Sequence, residues 1–276
     1  MLEIGRLNNL RVVKEVDFGV YLDGGEFGEI LLPKKYVPKD CLPGSIIEVF
    51  IYLDSEDRII ATTQKPYAMV GEFAELKVVS VSEVGAFLDW GLQKDLLVPF
   101  REQKQKLIKG KSYVVYVYFD EESERIAAST KLNKHLGKAP IDFQPREEVD
   151  LLIYDETEIG YNAIINNTHK GLIYKNDIFQ TLKTGQKMKG YIKNIREDGK
   201  IDLLLQKPGY GKVDDLSQKI LELIKQHDGF VAVTDKSPPE IIYKKFGVSK
   251  KTYKKAIGAL FKKRLITIED DGIKLI

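Results

Sequence analysis

Cysteine, histidine and tryptophan are nearly missing from this sequence of 276 residues, which holds one, three and one of them. A single cysteine, Cys41, excludes an internal disulfide and any zinc site built on a cysteine cluster. His135, His169 and His227 are scattered, so no HExxH pattern or histidine-rich ligand set is present. Long apolar runs are also lacking. The longest are strand-sized, short of the ~20 residues that a membrane span requires. Met1-Leu2-Glu3-Ile4-Gly5 shows no basic region followed by an apolar stretch, so no signal peptide is expected and the cytoplasm is the expected compartment.

Catalytic patterns are equally scarce. The acidic clusters Asp54-Ser55-Glu56-Asp57 and Asp120-Glu121-Glu122 fall in predicted turns, where carboxylates act as solvated caps. A two-metal nuclease needs carboxylates converging from several strands, and no such set can be assembled. Gly209-Tyr210-Gly211-Lys212 lacks the spacing and the strand-to-helix setting of a phosphate loop and reads as a linker. The expectation is a non-enzymatic protein with no cofactor, no metal, no small-molecule substrate and no membrane contact.

What the chain does contain is a pattern repeated three times. Phe18-Gly19, Val84-Gly85 and Ile159-Gly160 each open a short apolar strand pattern; Pro33, Pro99 and Tyr174 follow at one fixed distance, and Gly44, Gly110 and Gly185 at another. Each copy then closes with a basic residue starting an apolar run: Arg58-Ile59-Ile60, Arg125-Ile126-Ala127 and Lys200-Ile201-Asp202. A repeat of this length is one small domain copied. Each copy reads as five short strands separated by turn residues, the signature of a small barrel. Strands are predicted at Asn9–Val16, Gly19–Leu22, Ile30–Leu32, Ser45–Leu53 and Arg58–Thr63 in the first copy, and at matching places in the others.

The domain boundaries expected are 1–66, 67–130 and 149–207 for three barrels, with a linker at 131–148 holding Gly137, Pro140 and Pro145. Lys207-Pro208-Gly209-Tyr210-Gly211 makes a second break. Beyond it the apolar period becomes helical. Leu216, Ile220, Leu223 and Ile224 mark a helix with Asp214 or Asp215 as N-cap. Phe230–Val233 reads as a strand, Glu240–Phe246 as a helix capped by Ser237 with prolines in its first turn, and Ser249 to about Arg264 as a further helix. A hairpin around Asp270-Asp271-Gly272 follows. Residues 213–276 therefore read as a winged helix-turn-helix. The fold class expected is mostly β, with three tandem five-stranded barrels and a C-terminal α+β unit.

Charge divides unevenly along the chain. Residues 1–130 carry 16 Lys and Arg against 21 Asp and Glu, and residues 131–276 carry 27 against 20. A polyanion is drawn to the second half, because neutralising its phosphates releases counterions. The predicted helix Ser249–Arg264 contains no acidic residue. At 100° per residue, Tyr253, Ala256, Ile257, Leu260 and Phe261 share the expected core face. Lys251, Lys254, Lys255 and Lys262 lie opposite, with Lys250 and Lys263 toward the margins. A solvated face normally mixes signs, so a face of lysines alone points to phosphate contact. The helix has no Asn, Gln or interior Arg for bidentate base reading, which speaks against sequence-specific DNA recognition.

The repeat resembles the S1 RNA-binding domain, a five-stranded OB-fold barrel. Phe18-Gly19-Val20-Tyr21-Leu22 and Val84-Gly85-Ala86-Phe87-Leu88 are similar to that family's Phe-Gly-Ala-Phe strand, and Leu31-Leu32-Pro33, Leu97-Val98-Pro99 and Ile173-Tyr174 to its Leu-Val-His strand. The resemblance implies a nucleic-acid face made of two aromatics, a histidine and an Asp/Arg pair near the last turn. The first copy keeps Phe18, Tyr21, Asp54 and Arg58 but has Pro33 for the histidine. The second keeps Phe87, Asp120 and Arg125, with Val84 and Pro99 in the other places. The third has Ile159 and Asn162 for the aromatics, Tyr161 beside them, Tyr174 for the histidine, and Arg196 and Lys200 near the last turn, with His169, Lys170 and Lys193 nearby.

As a whole, three such repeats followed by a winged helix resemble the conserved virulence factor B family of bacterial RNA-binding proteins. That resemblance implies post-transcriptional regulation of gene expression, with single-stranded RNA as the partner. The third barrel and the winged helix are expected to form its surface. The acidic first two barrels would position that surface or recruit a protein partner. The alternatives are a winged-helix transcriptional regulator bound to duplex DNA and an adaptor that binds only proteins.

Overall fold

The repeat folds three times into the same closed barrel. The structure, a computed structural model, describes residues 2–178, 180–206 and 211–276, the last stretch with side chains from residue 216 on. The first barrel is built from β1 (Leu7–Val16), β2 (Gly19–Asp23), β3 (Glu29–Pro33), β4 (Ile46–Leu53) and β5 (Ile59–Thr62), in the order β1-β2-β3-β5-β4. The second uses β6 (Phe73–Val81), β7 (Gly85–Asp89), β8 (Leu96–Pro99), β9 (Ser112–Asp120) and β10 (Arg125–Ser129) in the same cyclic order. The third uses β11 (Glu148–Glu156), β12 (Gly160–Ile165), β13 (His169–Tyr174), β14 (Lys187–Ile195) and β15 (Ile201–Leu204). A parallel pairing of the third and fifth strands joins each barrel where antiparallel hairpins cannot, as Leu31 beside Ile60 and Gly171 beside Ile201 show.

Two glycines of the repeat have different physical causes. A Cβ on Gly19, Gly85 or Gly160 would lie 2.1, 2.3 and 2.0 Å from the carbonyl oxygens of Leu32, Val98 and Ile173. There is no room for a side chain where the second strand leaves its turn beside the third. Gly44 and Gly110 have open space around them but sit at φ +90° and +84°, in the left-handed region that favours glycine. Space fixes the first glycine and backbone conformation the second.

Two compact units emerge: Met1–Ala139 with Asn167–His169, and Pro140–Asn166 with Lys170–Ile276. In the first unit, β4 is buried continuously over Val49–Tyr52 instead of alternating. Val49 and Ile51 face the core of the first barrel, while Phe50 and Tyr52 join the core of the second. Phe50 meets Trp90 edge-to-face at 5.8 Å between ring centroids. The two barrels therefore share apolar contacts. The stretch after β10 also packs in this unit: Leu132 is buried, and His135 stacks on Tyr116 at 4.0 Å.

The C-terminal part of the second unit is a winged helix: α1 (Gly211–Gln226), β16 (Phe230–Val231), α2 (Pro239–Phe246), α3 (Lys250–Lys262), β17 (Ile266–Ile268) and β18 (Ile273–Leu275). Its sheet runs β16-β18-β17, and its core gathers Leu216, Ile220, Ile224, Ile242, Tyr253, Ile257 and Ile266. Ser249 caps α3 as expected, accepting the Thr252 amide at 3.1 Å, and Gly247 ends α2 at φ +67°.

Three details differ from the sequence reading. The predicted break at residues 207–210 lies outside the described residues, but α1 already includes Gly211, so Asp214 and Asp215 lie within the helix and not at its N-cap position. Ser237 does not cap α2; its hydroxyl accepts the Thr234 amide at 2.9 Å, and Pro238 takes the cap position. Phe261, expected in the core, is 54% exposed. It lies about 80° from the Tyr253 direction, at the margin where a helix leaves its buried stripe.

Candidate nucleic-acid interface

The first barrel presents an aromatic platform. Phe18 is 57% exposed and meets Tyr21 edge-to-face at 6.3 Å. A bulge at Val13 shifts the β1–β2 register so that Lys14 pairs with Tyr21, placing its Nζ 4.9 Å from the ring centroid. The same bulge in the other barrels puts Ser80 opposite Phe87 and Asp155 opposite Asn162. Lys14 was missed in the sequence. The signal was there, four residues ahead of each anchor, where Lys14, Ser80 and Asp155 occupy one place in the repeat. Arg58 is not free: its guanidinium donates twice to Asp54 at 2.9 and 2.8 Å and pairs with Glu56 at 2.9 Å. Burial works to raise the Asp54 carboxyl, but backbone and side-chain hydrogen bonds from Arg58 outweigh it and hold that carboxyl below the usual range.

The second barrel's face opens into a cleft of about 420 Å³ within the first unit, lined by Val84, Phe87, Trp90 and Arg125 and, from the first barrel, Tyr52 and Asp57. Arg125 is bound to Asp57 across this cleft, and Lys94 pairs with the same carboxylate at 3.4 Å. Hydrogen bonds from Arg125 first, then Lys94, hold Asp57 below its ordinary range. The basic residue that the S1 resemblance assigns to nucleic acid here serves an ion pair between barrels.

In the third barrel the predicted residues come together only in part. Tyr174 stands with Lys193 and Arg196 at 5.6 and 5.9 Å from its ring centroid. Arg196 donates to the Tyr174 hydroxyl and to Asp202 at 2.8 Å, Lys193 pairs with Asp177 at 2.7 Å, and Lys200 with Asp198 at 2.6 Å. Each of these three cations is therefore matched by a carboxylate. Tyr161 is half-buried beside Glu156; burial and then that carboxylate raise its phenol. His169 is a correction: it is 5% exposed, and its ring bonds Thr168 Oγ1 at 2.9 Å and the Ala139 carbonyl at 3.0 Å. Strand parity explains the error. His169, Gly171 and Ile173 are buried while Lys170 is exposed, and one residue separates inside from outside. Lys170 lies at the far end of β13, about 13 Å from Tyr174 at strand rise.

The winged helix carries an open positive surface. Lys251, Lys254, Lys255 and Lys262 are exposed along α3, and Lys250 is half-buried at its start. Lys254 pairs with Asp235 at 3.2 Å, whereas Lys251 and Lys262 form no ion pair with a described residue. Phe261 joins this exposed side. The wing is opposite in sign: Glu269, Asp270 and Asp271 are all exposed at its tip, with Lys236 reaching Asp270 at 3.0 Å. Two contacts tie α2 to the segments around the third barrel, Tyr243 to Gln180 at 2.8 Å and Gln206 to the Gly247 carbonyl at 3.0 Å. No helix among the described residues is long and apolar enough to cross a membrane, and no cluster there offers a metal three or more His, Cys, Asp or Glu ligands.

Known proteins carry the same parts. The S1 domain family matches residues 4–64 and 70–131, and the CvfB-like winged helix domain family matches 218–275. Uncharacterized protein YitL of Bacillus subtilis is 26% identical over 267 residues, covering 94% of this chain and 89% of that one. Conserved virulence factor B of Staphylococcus epidermidis is 26% identical over 239 residues, covering 84% and 80%. A crystal structure of a multidomain protein with nucleic acid binding domains from Streptococcus pneumoniae aligns with 99% of this chain and 98% of its own at 23% identity and a TM-score of 0.43. S1 barrels in tandem with a CvfB-like winged helix define a protein assembled from nucleic-acid-binding domains. The chain belongs to the conserved virulence factor B family.

Proposed function

We propose that the protein is a non-enzymatic, cytoplasmic RNA-binding protein that holds single-stranded RNA on α3 and the third barrel and regulates gene expression after transcription. The observation that carries this reading is the exposed lysine face of α3, of which Lys251 and Lys262 have no described ion partner. Lysine is a point charge suited to phosphate, and α3 offers no side chain for bidentate base reading. The acidic wing tip favours a single strand over a duplex. A duplex spanning helix and wing brings its second phosphate backbone against Glu269, Asp270 and Asp271, whereas a single strand running along α3 avoids them. In this reading the first two barrels act as a rigid pair that positions the second unit's surface or recruits a protein, since Arg58 and Arg125 are already engaged.

A salt-titrated comparison of single-stranded RNA, single-stranded DNA and duplex DNA, with the full chain, tests it. RNA is expected to bind tightest, with affinity falling as salt rises. Replacing Lys251, Lys254 and Lys255 together by Glu is expected to cost at least tenfold at low salt and to flatten the log–log salt slope by about 2, at ~0.7 per phosphate contact on single strands. Tighter binding of duplex DNA, or a triple variant with unchanged RNA affinity, overturns the reading.

A further inference from the structure

The middle of α3 holds a glycine that its own fold does not explain. Glycine is the poorest interior helix former after proline, and it is usually kept where a neighbour leaves no room for a side chain. Gly258 has no such neighbour. A Cβ built on it meets no described atom within 4 Å outside the helix's own backbone. The structure therefore spends helix stability on an open spot.

That spot has a defined rim. On a helix, the neighbours of a residue across the surface are those three and four positions away. For Gly258 these are Lys254, Lys255, Phe261 and Lys262: three exposed cations and one exposed aromatic ring. Side chains on a helix lean toward its N-terminus, so Phe261 leans toward the turn that contains Gly258. The ring is 54% exposed, and the floor beside it is bare backbone.

We propose that Gly258 and Phe261 form a subsite for one unpaired nucleobase of single-stranded RNA, with the base stacked on Phe261 above the Gly258 backbone and its flanking phosphates met by Lys262 and by Lys254, which exchanges its pair with Asp235 for the phosphate. The charge supports this occupant: three lysines without an acidic residue on α3 match a polyanion, and an aromatic among them matches a base, whose π-face suits any sequence. A protein segment would need acidic groups at three sides of one apolar side chain. This inference rests on the RNA-binding reading and deepens it from phosphate attraction to base contact.

The test uses the full chain with three variants and two polyanions, a single-stranded RNA and inorganic polyphosphate, which has charge but no bases. Phe261→Leu keeps an apolar side chain and removes the π-face; about a tenfold loss for RNA and an unchanged affinity for polyphosphate are expected. Phe261→Trp is expected to retain RNA affinity, with indole fluorescence quenched when RNA binds. Gly258→Leu fills the floor with a good helix former. It is expected to raise the melting temperature of the second unit while weakening RNA at least fivefold, a pairing that a merely structural glycine does not give. Wild-type RNA affinity in Phe261→Leu, or equal losses for RNA and polyphosphate, overturns the stacking subsite and leaves the RNA-binding reading standing. Failure of the wild-type chain to bind RNA overturns both. Tighter binding of a single-stranded DNA of the same sequence overturns the assignment to RNA.

Discussion

The first and third barrels share a frame and differ in the aromatic rings that the frame displays. Both leave their first turn through a glycine that faces a carbonyl oxygen, Leu32 for Gly19 and Ile173 for Gly160. The first then shows Phe18 and Tyr21 with Lys14 above the ring, and its last-turn arginine is held by two carboxylates. The third shows one ring, Tyr174, amid cations that Asp177, Asp202 and Asp198 already match. A cation counted in the sequence is thus not a cation offered to a ligand. What decides is whether a carboxylate stands within reach, and on α3 Lys251 and Lys262 have no ion pair with a described residue.

The largest test of this comparison is of the frame itself. Gly19→Val and Gly160→Val each force a side chain into a backbone oxygen, so each is expected to destabilise its barrel by about 3 kcal/mol or more in chemical denaturation. A cost below about 1 kcal/mol at either glycine would break the claim that space fixes both. Next in size is the difference between the faces. Tyr174→Ala is expected to reduce single-stranded RNA affinity about tenfold, near the value of one stacked base, and Tyr21→Ala less than twofold. The reverse order would move the RNA-contacting barrel to the first. Tyr174→Phe separates the ring from its hydrogen bond with Arg196.

Smaller is the effect of unpairing a cation. Asp202→Asn leaves Arg196, which is over a third exposed, without its carboxylate. RNA affinity at low salt is expected to rise about two- to threefold, within the ~1 kcal/mol scale of such pairs. No change would show that Arg196 does not face the ligand. The smallest effect separates the two units. Burial first, then the charge of Lys138, holds the half-buried His135 ring below its ordinary value of 6.5. The unfolded chain therefore binds a proton first as pH falls through about 6.5, and stability is lost below that point until the depressed folded value is passed. The melting transition of the first unit is expected to drop by a few degrees between about pH 7 and pH 5.5, and His135→Phe to remove most of the drop.

The barrels were legible because steric rules act locally. A glycine with no room for Cβ, and another at positive φ, recur at fixed distances whatever the surface does. The winged helix was legible from its change of period and from Ser249 and Gly247. The faces were less so, because their fate depends on partners far along the chain. Arg125 is held by Asp57, 68 residues away, and Lys193 by Asp177, 16 away. His169 was misplaced by one step of strand parity, and Phe261 by its place on the margin of the helix stripe. The same margin that misled the pattern reading puts Phe261 among the lysines.

The doubly buried β4 has one more consequence. Because Phe50 and Tyr52 fill the core of the second barrel, the first cannot be lifted out of this chain as a module. Proteolytic cleavage between residues 64 and 70 would uncover an apolar strip on each fragment, and both would tend to stick to themselves or to each other. In a calorimeter the pair would absorb heat as a single event. The second barrel is thus a partner on which the first depends to keep Phe50 and Tyr52 out of water.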